Sequence, residues 1–211
     1  MQRACGIICG LPLAPTLGSV TTIPRTTLAD AITRFWNFAA PAYDQGCLQR
    51  LVYKPAQDEV IAALRRHGAT QIADVACGTG ILTDRIQQEL RPDEVYGLDM
   101  SDGMLARARR RSDLVRWKSA PAEELPFADG FLDAVVSTSA FHFFDQPAAL
   151  AEFHRVLAPG GIVAVTAVIP TPGDTRKLFE AAGFSVEEQR RVPHPFWTPV
   201  ADTITVGLKP A

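Results

Sequence analysis

Short apolar segments alternate with helical segments along most of the chain, and this alternation constrains the fold more than any other feature. Four segments carry apolar residues at helical spacing, namely residues 80–90, 101–110, 145–157 and 175–182. Around them lie seven short segments predicted as strands: 72–76, 95–98, 115–118, 132–137, 162–168, 185–192 and 203–208. Such alternation predicts an α/β fold in which helices cover both faces of a largely parallel sheet.

The last two strand segments, 185–192 and 203–208, have no helix between them. Parallel neighbours need a long crossover connection, whereas antiparallel neighbours do not. We therefore expect these two strands to pair antiparallel at one side of the sheet. This ending distinguishes the chain from a plain dinucleotide-binding fold.

Composition and length indicate one folded domain with an appendage. The chain has 211 residues, of which 47% are apolar and 21% charged, as in ordinary globular proteins. Residues 1–27 show no periodicity and form, on this interpretation, an irregular N-terminal tail. The domain then covers residues 28–211, and residues 28–55 form two short helices at its start.

Charge and cysteine usage exclude some classes of function. The net charge of −2 argues against binding to duplex nucleic acid. None of the four cysteines forms a Cys-x-x-Cys pair, so we expect no structural metal site. No apolar run reaches the length of a membrane helix, and the mildly apolar N-terminus is a poor signal peptide. We therefore expect a cytoplasmic protein without a membrane span.

The strongest local motif follows the first strand, where residues 74–80 read DVACGTG. Glycines at a strand-to-helix turn let a ligand approach the backbone and the free N–H groups of the helix. The third glycine of a dinucleotide fingerprint is replaced by Thr83, which disfavours NAD. Asp74 would repel a phosphate but suits an ammonium group. Asp99 closes the second strand, where a carboxylate can accept both hydroxyls of a ribose.

Four blocks in this order give a specific resemblance. They read DVACGTG at 74–80, LDMSDGML at 98–105, AEELPFADGFLDAVVS at 122–137 and FHFFDQPAALAEFHRVLAPGG at 141–161. The chain resembles a class I S-adenosylmethionine-dependent methyltransferase of the small-molecule group, and the resemblance covers about half of it. It implies a Rossmann-like, doubly wound, seven-stranded sheet, mostly parallel, in which the antiparallel C-terminal strand lies between strands five and six.

The resemblance also implies roles for matching residues. Asp99 would bind the ribose, Asp74 would help to order the ammonium group, and Ser137 would begin the loop nearest the methyl group. The remaining residues expected at the cofactor, S-adenosylmethionine, or its product, S-adenosylhomocysteine, are Ala76, Cys77, Gly78, Thr79, Gly80, Met100, Met104, Ala122 and Glu123. Residues 28–55 would form a lid over the site.

Candidate acceptor-side residues are aromatic or titratable. His142 follows the fourth strand and has a side chain suited to a general base, although packing or contact with the substrate would also explain it. Aromatic residues expected at the lid or the substrate wall are Trp36, Phe38, Tyr43 and Phe141.

The chain departs from the family pattern at three places, of which the first is Ala76, where the usual motif has a glycine. The other two leave alternatives open. Pro121 stands where an acid often meets adenine, and residues 168–174 connect strand five to the next helix without the usual long insertion. The main hypothesis is in-line methyl transfer to a small-molecule acceptor by a monomer or homodimer. The alternatives are methylation of a tRNA or protein, and a partner subunit that binds S-adenosylmethionine without catalysis.

Overall fold

The computed structural model describes residues 53–167, 172–194 and 202–211. Helix α1 (Lys54–His67) comes first and ends at Gly68, which adopts the left-handed conformation that glycine tolerates. The other elements follow in this order: β1 (Gln71–Val75), α2 (Ile81–Leu90), β2 (Glu94–Leu98), α3 (Asp102–Arg111), β3 (Arg116–Lys118), β4 (Leu132–Thr138), α4 (Gln146–Val156), β5 (Leu157–Ala167), α5 (Pro172–Ala181), β6 (Ser185–Arg191) and β7 (Thr203–Leu208).

One seven-stranded sheet carries all of these strands, in the order β3-β2-β1-β4-β5-β7-β6. The pairs among β1 to β5 are parallel, and β7 runs antiparallel to both β5 and β6. The predicted fold is confirmed, including the place of β7 between β5 and β6. The strand bounds agree with the sequence interpretation to within a residue or two, except that β5 begins five residues earlier than expected.

Two apolar cores lie on opposite faces of the sheet. On one face, the buried side chains of α1 and α2 pack against Ala134, Ile162 and Ile204. On the other face, α4 and α5 supply Phe153 and Phe179, which are completely buried. The helices therefore fix the sheet from both sides and leave the carboxyl ends of β1, β2 and β4 together at one edge. Among the described residues, no helix is long and apolar enough to cross a membrane.

Trp117 ties the edge strand β3 to β2 and to the start of α2. Its indole N–H donates to the carbonyl of Ser112 at 2.9 Å, and its ring covers Gly97 of β2 and Gly80 at the start of α2. A Cβ atom at Gly97 would lie 2.3 Å from two atoms of this ring. Glycine at position 97 is therefore required by packing.

We predict that Gly97→Ala destabilises the fold by about 1–3 kcal/mol, because the held indole ring has to move. Thermal unfolding would measure this as a lower Tm. Gly173→Ala in α5 is the matched control, since a Cβ atom there meets nothing within 4 Å. Alanine also favours the helix by up to about 1 kcal/mol, so the Tm of the control should stay equal or rise. An unchanged Tm for Gly97→Ala would contradict this role of Trp117.

Candidate active site

The candidate site lies where the chain reverses its direction of travel across the sheet. Strand β1 has β2 on one side and β4 on the other. The crossovers from β1 and β4 therefore lead away from each other and leave a crevice at the carboxyl ends of these strands. Open α/β sheets bind their ligands at such a switch point.

The turn that follows β1 is unusually constrained. Ala76, Gly78 and Gly80 all have positive φ, at 58°, 57° and 78°. The left-handed conformation costs a residue with a Cβ atom about 1–2 kcal/mol, so Ala76 is strained where the family pattern has a glycine. The Cys77 N–H donates to the carbonyl of Leu98 at 2.9 Å, which ties the turn to the end of β2.

Asp99 joins the two turns that form the floor of the crevice. Its Oδ2 accepts from the Gly78 N–H at 2.9 Å, and its Oδ1 accepts from the Ser101 N–H at 2.8 Å. Burial raises the pKa of Asp99, although backbone N–H donors oppose the shift. Each carboxylate oxygen has about two acceptor sites, so lone pairs remain for hydroxyl groups of a ligand. These remaining acceptor sites fit the ribose hydroxyl groups of S-adenosylmethionine.

Asp74 lies beneath the turn and is only 1% exposed. Its Oδ2 accepts from the Thr83 hydroxyl at 2.6 Å. Burial raises its pKa to about 7, and the nearby charge of Asp99 adds to this shift. The structure thus holds Asp74 under the surface of the crevice, so a role toward an ammonium group would act through the field of the carboxylate or through water.

Most of the other residues expected around the cofactor are buried, and one of them is exposed. Met104 is buried on α3, whose first turn is capped by the Ser101 hydroxyl, while Met100 is 47% exposed. Cys77 is buried, and burial raises the pKa of its thiol well above the usual value. Thr79 is fully buried, and its carbonyl accepts from the Arg111 guanidinium at 2.9 Å.

The segment that would meet adenine is anchored to α4. Glu123 accepts from the Asp145 N–H at 2.8 Å, just before that helix begins. Glu152 accepts from the Leu125 N–H at 2.6 Å, and Arg155 pairs with Glu152 at 2.7 Å. Ala122 is buried beside this network. The network gives a fixed backbone to a segment that has no regular secondary structure.

The end of β4 carries residues that the sequence places near the methyl acceptor. Ser137 is fully buried, and its hydroxyl has no hydrogen-bond partner among the described residues. His142 is exposed in the short 3-10 turn Phe141–Phe143, and its ring centroid lies 4.0 Å from that of Phe143. Although His142 is exposed, the protein removes part of the solvent around its ring, and this partial desolvation lowers the pKa of His142, which favours the neutral, proton-accepting form. Its role as a general base stays a prediction.

One expected substrate-wall residue needs correction. Phe141 is completely buried and packs edge-on against Phe144 and Phe179, at centroid distances of 6.1 and 6.4 Å. It therefore belongs to the apolar core behind the crevice, because the aromatic rings of that core enclose it. Trp36, Phe38, Tyr43 and most of the expected lid lie outside the described residues.

Comparison with known proteins relates this chain to methyltransferases. A family model described as a methyltransferase domain matches residues 73–165. These residues are thus identified as a methyltransferase domain. It is 42% identical over 107 residues to a demethylmenaquinone methyltransferase of Thermus thermophilus, and this match covers 48% of the chain and 49% of the relative. It is 37% identical over 126 residues to a malonyl-[acyl-carrier protein] O-methyltransferase of Hahella chejuensis, covering 58% and 43%.

A solved methyltransferase shares the fold. Magnesium protoporphyrin IX methyltransferase from Synechocystis PCC 6803, crystallised with bound SAM, matches with a TM-score of 0.68. The sequences are 18% identical, and the match covers 90% of this chain and all of that one. The chain spans about half the length of the curated relatives named above. The resemblance to methyltransferases expected from the four sequence blocks is confirmed.

Sequence reasoning missed three residues that build the candidate site. Thr83 binds Asp74, Arg111 holds the carbonyl of Thr79, and Trp117 covers the glycine that starts α2. In the sequence, Thr83 stands out only as a missing glycine, and nothing distinguishes Arg111 from the arginines directly before it. A signal for Trp117 existed, since Gly97 interrupts an otherwise apolar strand, and a strand glycine often marks a close approach by a neighbour.

We predict that Asp74→Asn alters the pH dependence of stability in the ligand-free protein. The folded-state pKa of about 7 exceeds the unfolded value near 4, so stability is full below about pH 4 and falls as the pH rises toward 7. Asparagine stays neutral and avoids this loss. Between pH 5 and pH 8, the free energy of unfolding of the variant, measured with urea, should therefore rise by about 1–3 kcal/mol relative to that of the wild type.

The exposed Asp102→Asn is the control for this prediction, because it replaces a carboxylate that already lies in solvent. Its unfolding free energy should follow that of the wild type at every pH. Parallel curves for wild type and Asp74→Asn would show that Asp74 is not a buried, reluctantly ionised acid.

Proposed function

We propose that the protein transfers the methyl group of S-adenosylmethionine to a small-molecule acceptor. The observation that carries this proposal is the Asp99 carboxylate, which two backbone N–H groups hold at the switch point of the sheet. An NAD-type site would place a third glycine where Thr83 instead binds the buried Asp74. The curated relatives are named as methyltransferases of demethylmenaquinone and of malonyl-[acyl-carrier protein], and both names support methyl transfer to a small chemical group.

The chain's own residues would hold the cofactor in four places. Asp99 would accept the ribose hydroxyls, and the backbone of the glycine turn would accommodate the methionine part. The backbone of Ala122 would meet the adenine, and Ser137 would lie nearest the reacting group. When bound, S-adenosylmethionine supplies a methyl group that is already activated on a positively charged sulfur.

Positioning would then be the main catalytic contribution. Holding reactants in line can lower a barrier by about 7–11 kcal/mol in favourable cases. The turn suits this task, because Asp99, Arg111 and the indole ring of Trp117 fix it from three sides. A general base is needed only where the acceptor has to lose a proton.

We predict that S-adenosylhomocysteine raises the Tm of the wild-type protein and that NADH does not. A ligand at 100 times its Kd stabilises a protein by about 2.7 kcal/mol, which corresponds to a shift of several degrees. Asp99→Ala should abolish the shift, because it removes the ribose acceptor. The control Asp129→Ala removes an exposed carboxylate from the Arg155 pair and should keep most of the shift.

Turnover distinguishes the proposal from its alternatives. The wild-type protein should release S-adenosylhomocysteine from S-adenosylmethionine when a small-molecule acceptor is added. Binding without turnover on any small molecule, but with turnover on tRNA or a protein, would favour a macromolecular substrate. The absence of a Tm shift with either adenosyl ligand would contradict the proposed function.

A further inference from the structure

Unsatisfied buried polar atoms are concentrated at one edge of the sheet. Six buried side-chain N or O atoms lack a hydrogen-bond partner among the described residues, and five of them belong to Ser137, Thr166, His194 and Asp202. The sixth is an amide oxygen of Gln71, at the opposite edge. A buried polar atom without a partner costs about 1–3 kcal/mol. Such a concentration therefore marks a place where a ligand supplies the missing partners.

The topology brings these four residues to the carboxyl edge. Ser137 and Thr166 are the penultimate residues of β4 and β5. Asp202 directly precedes β7, whose first residue pairs with Ala167 at the end of β5. His194 follows β6, and the Val192 N–H donates to the Asp202 carbonyl at 2.8 Å.

Side chains alternate between the two faces of a strand, and Ser137 pairs with Val165 whereas Thr166 pairs with Ile204. Ser137 therefore lies on the face covered by α4 and α5, and Thr166 lies on the face covered by α1. Thr166, Asp202 and His194 form a row at the carboxyl edge of this second face.

His194 and Asp202 form a pair within this row. The His194 Nε2 lies 3.5 Å from the Asp202 Oδ2, and the two side chains are only 4% and 2% exposed. The contact lacks hydrogen-bond geometry, and neither ring nitrogen has a partner among the described residues. A loose contact of this kind is common between catalytic groups before the substrate binds. The pair is thus poorly explained as a structural anchor.

The surroundings of the pair are neutral or anionic. Burial raises the pKa of Asp202, and the charge of His194 opposes this shift. Tyr53, just before α1, is close enough to Asp202 to be affected by its charge, and burial together with this charge raises the pKa of Tyr53. Within the described part of the chain, Asp202 has no ion pair with a lysine or arginine. A second carboxylate placed here would be repelled, whereas a neutral hydroxyl group would find both acceptors and donors.

We propose that His194, positioned by Asp202, is a proton acceptor for a neutral, hydroxyl-bearing methyl acceptor. As the electron pair of the acceptor bonds to the methyl carbon, the methyl–sulfur bond breaks and its electron pair passes to sulfur. The acceptor proton passes to His194, and the resulting imidazolium pairs with Asp202. The positive charge lost from sulfur therefore reappears on His194. This assignment rests on the proposed function and deepens it.

The test compares His194→Gln and Asp202→Asn with the wild-type protein, and it uses His67→Gln as the matched control. His67 lies in the last turn of α1, beside Glu187 near the amino end of β6, and so away from the pair. The acceptor probes are 2-geranyl-1,4-naphthohydroquinone, which is neutral and carries hydroxyl groups, and malonyl-N-acetylcysteamine, which carries a carboxylate. Calorimetry measures S-adenosylhomocysteine binding, and kcat and KM are recorded against pH.

The expected result is methylation of the naphthohydroquinone, with a rate that rises with pH as the proton acceptor is deprotonated. His194→Gln should lower kcat about 100-fold and remove this rise. Asp202→Asn should lower kcat less. Both variants should bind S-adenosylhomocysteine within about twofold of the wild type and keep a similar Tm, because the pair makes no hydrogen bond that folding depends on. His67→Gln should resemble the wild type throughout.

Three outcomes would overturn the assignment. The first is a His194→Gln variant with wild-type kcat and pH profile. The second is a large drop in Tm with an unchanged pH profile, which would show a structural role. The third is a wild-type protein that binds S-adenosylhomocysteine yet methylates only the malonyl thioester or neither probe. Failure of the wild-type protein to bind S-adenosylhomocysteine would instead contradict the proposed function itself.

Discussion

The Asp99 carboxylate is the interaction on which the rest of the site depends. It accepts one backbone N–H from the turn after β1 and another from the turn after β2. These two hydrogen bonds hold the glycine turn against the second strand and satisfy donors that a ligand-free crevice would leave exposed. They also bring the carboxylate into a partly buried position, which raises its pKa. The same group therefore closes the floor of the crevice and presents its remaining lone pairs to a ligand.

Packing beneath this floor explains why the turn can be so tight. The indole ring of Trp117 occupies the space that Cβ atoms at Gly80 and Gly97 would need, and Arg111 holds a carbonyl of the turn. Asp74 lies under the same turn and is reluctant to ionise. Two features of the site therefore lower the stability of the ligand-free protein, namely the left-handed backbone of Ala76 and the burial of Asp74. Binding of a cationic cofactor would relieve the second, because a positive charge nearby favours the carboxylate.

Much of the fold could be predicted from sequence because its signals are local. The spacing of apolar residues gives the strands, Ser101 marks the start of α3, and the absence of a helix before β7 predicts its antiparallel direction. The partners of individual side chains were harder to foresee. Phe141 looked like a substrate-wall residue because it follows β4, yet the aromatic rings of α4 and α5 draw it into the core. His194 and Asp202 are eight positions apart, and only the pairing of β6 with β7 brings them together.

The most direct test of the account is a crystal structure of the protein with S-adenosylhomocysteine. The account predicts that the ligand lies across the carboxyl ends of β1, β2 and β4, with both ribose hydroxyls on Asp99 and the homocysteine end above the turn at residues 76–80. Its sulfur should point toward the edge that carries Ser137 and Thr166. A ligand bound elsewhere, or one whose ribose does not contact Asp99, would contradict the account.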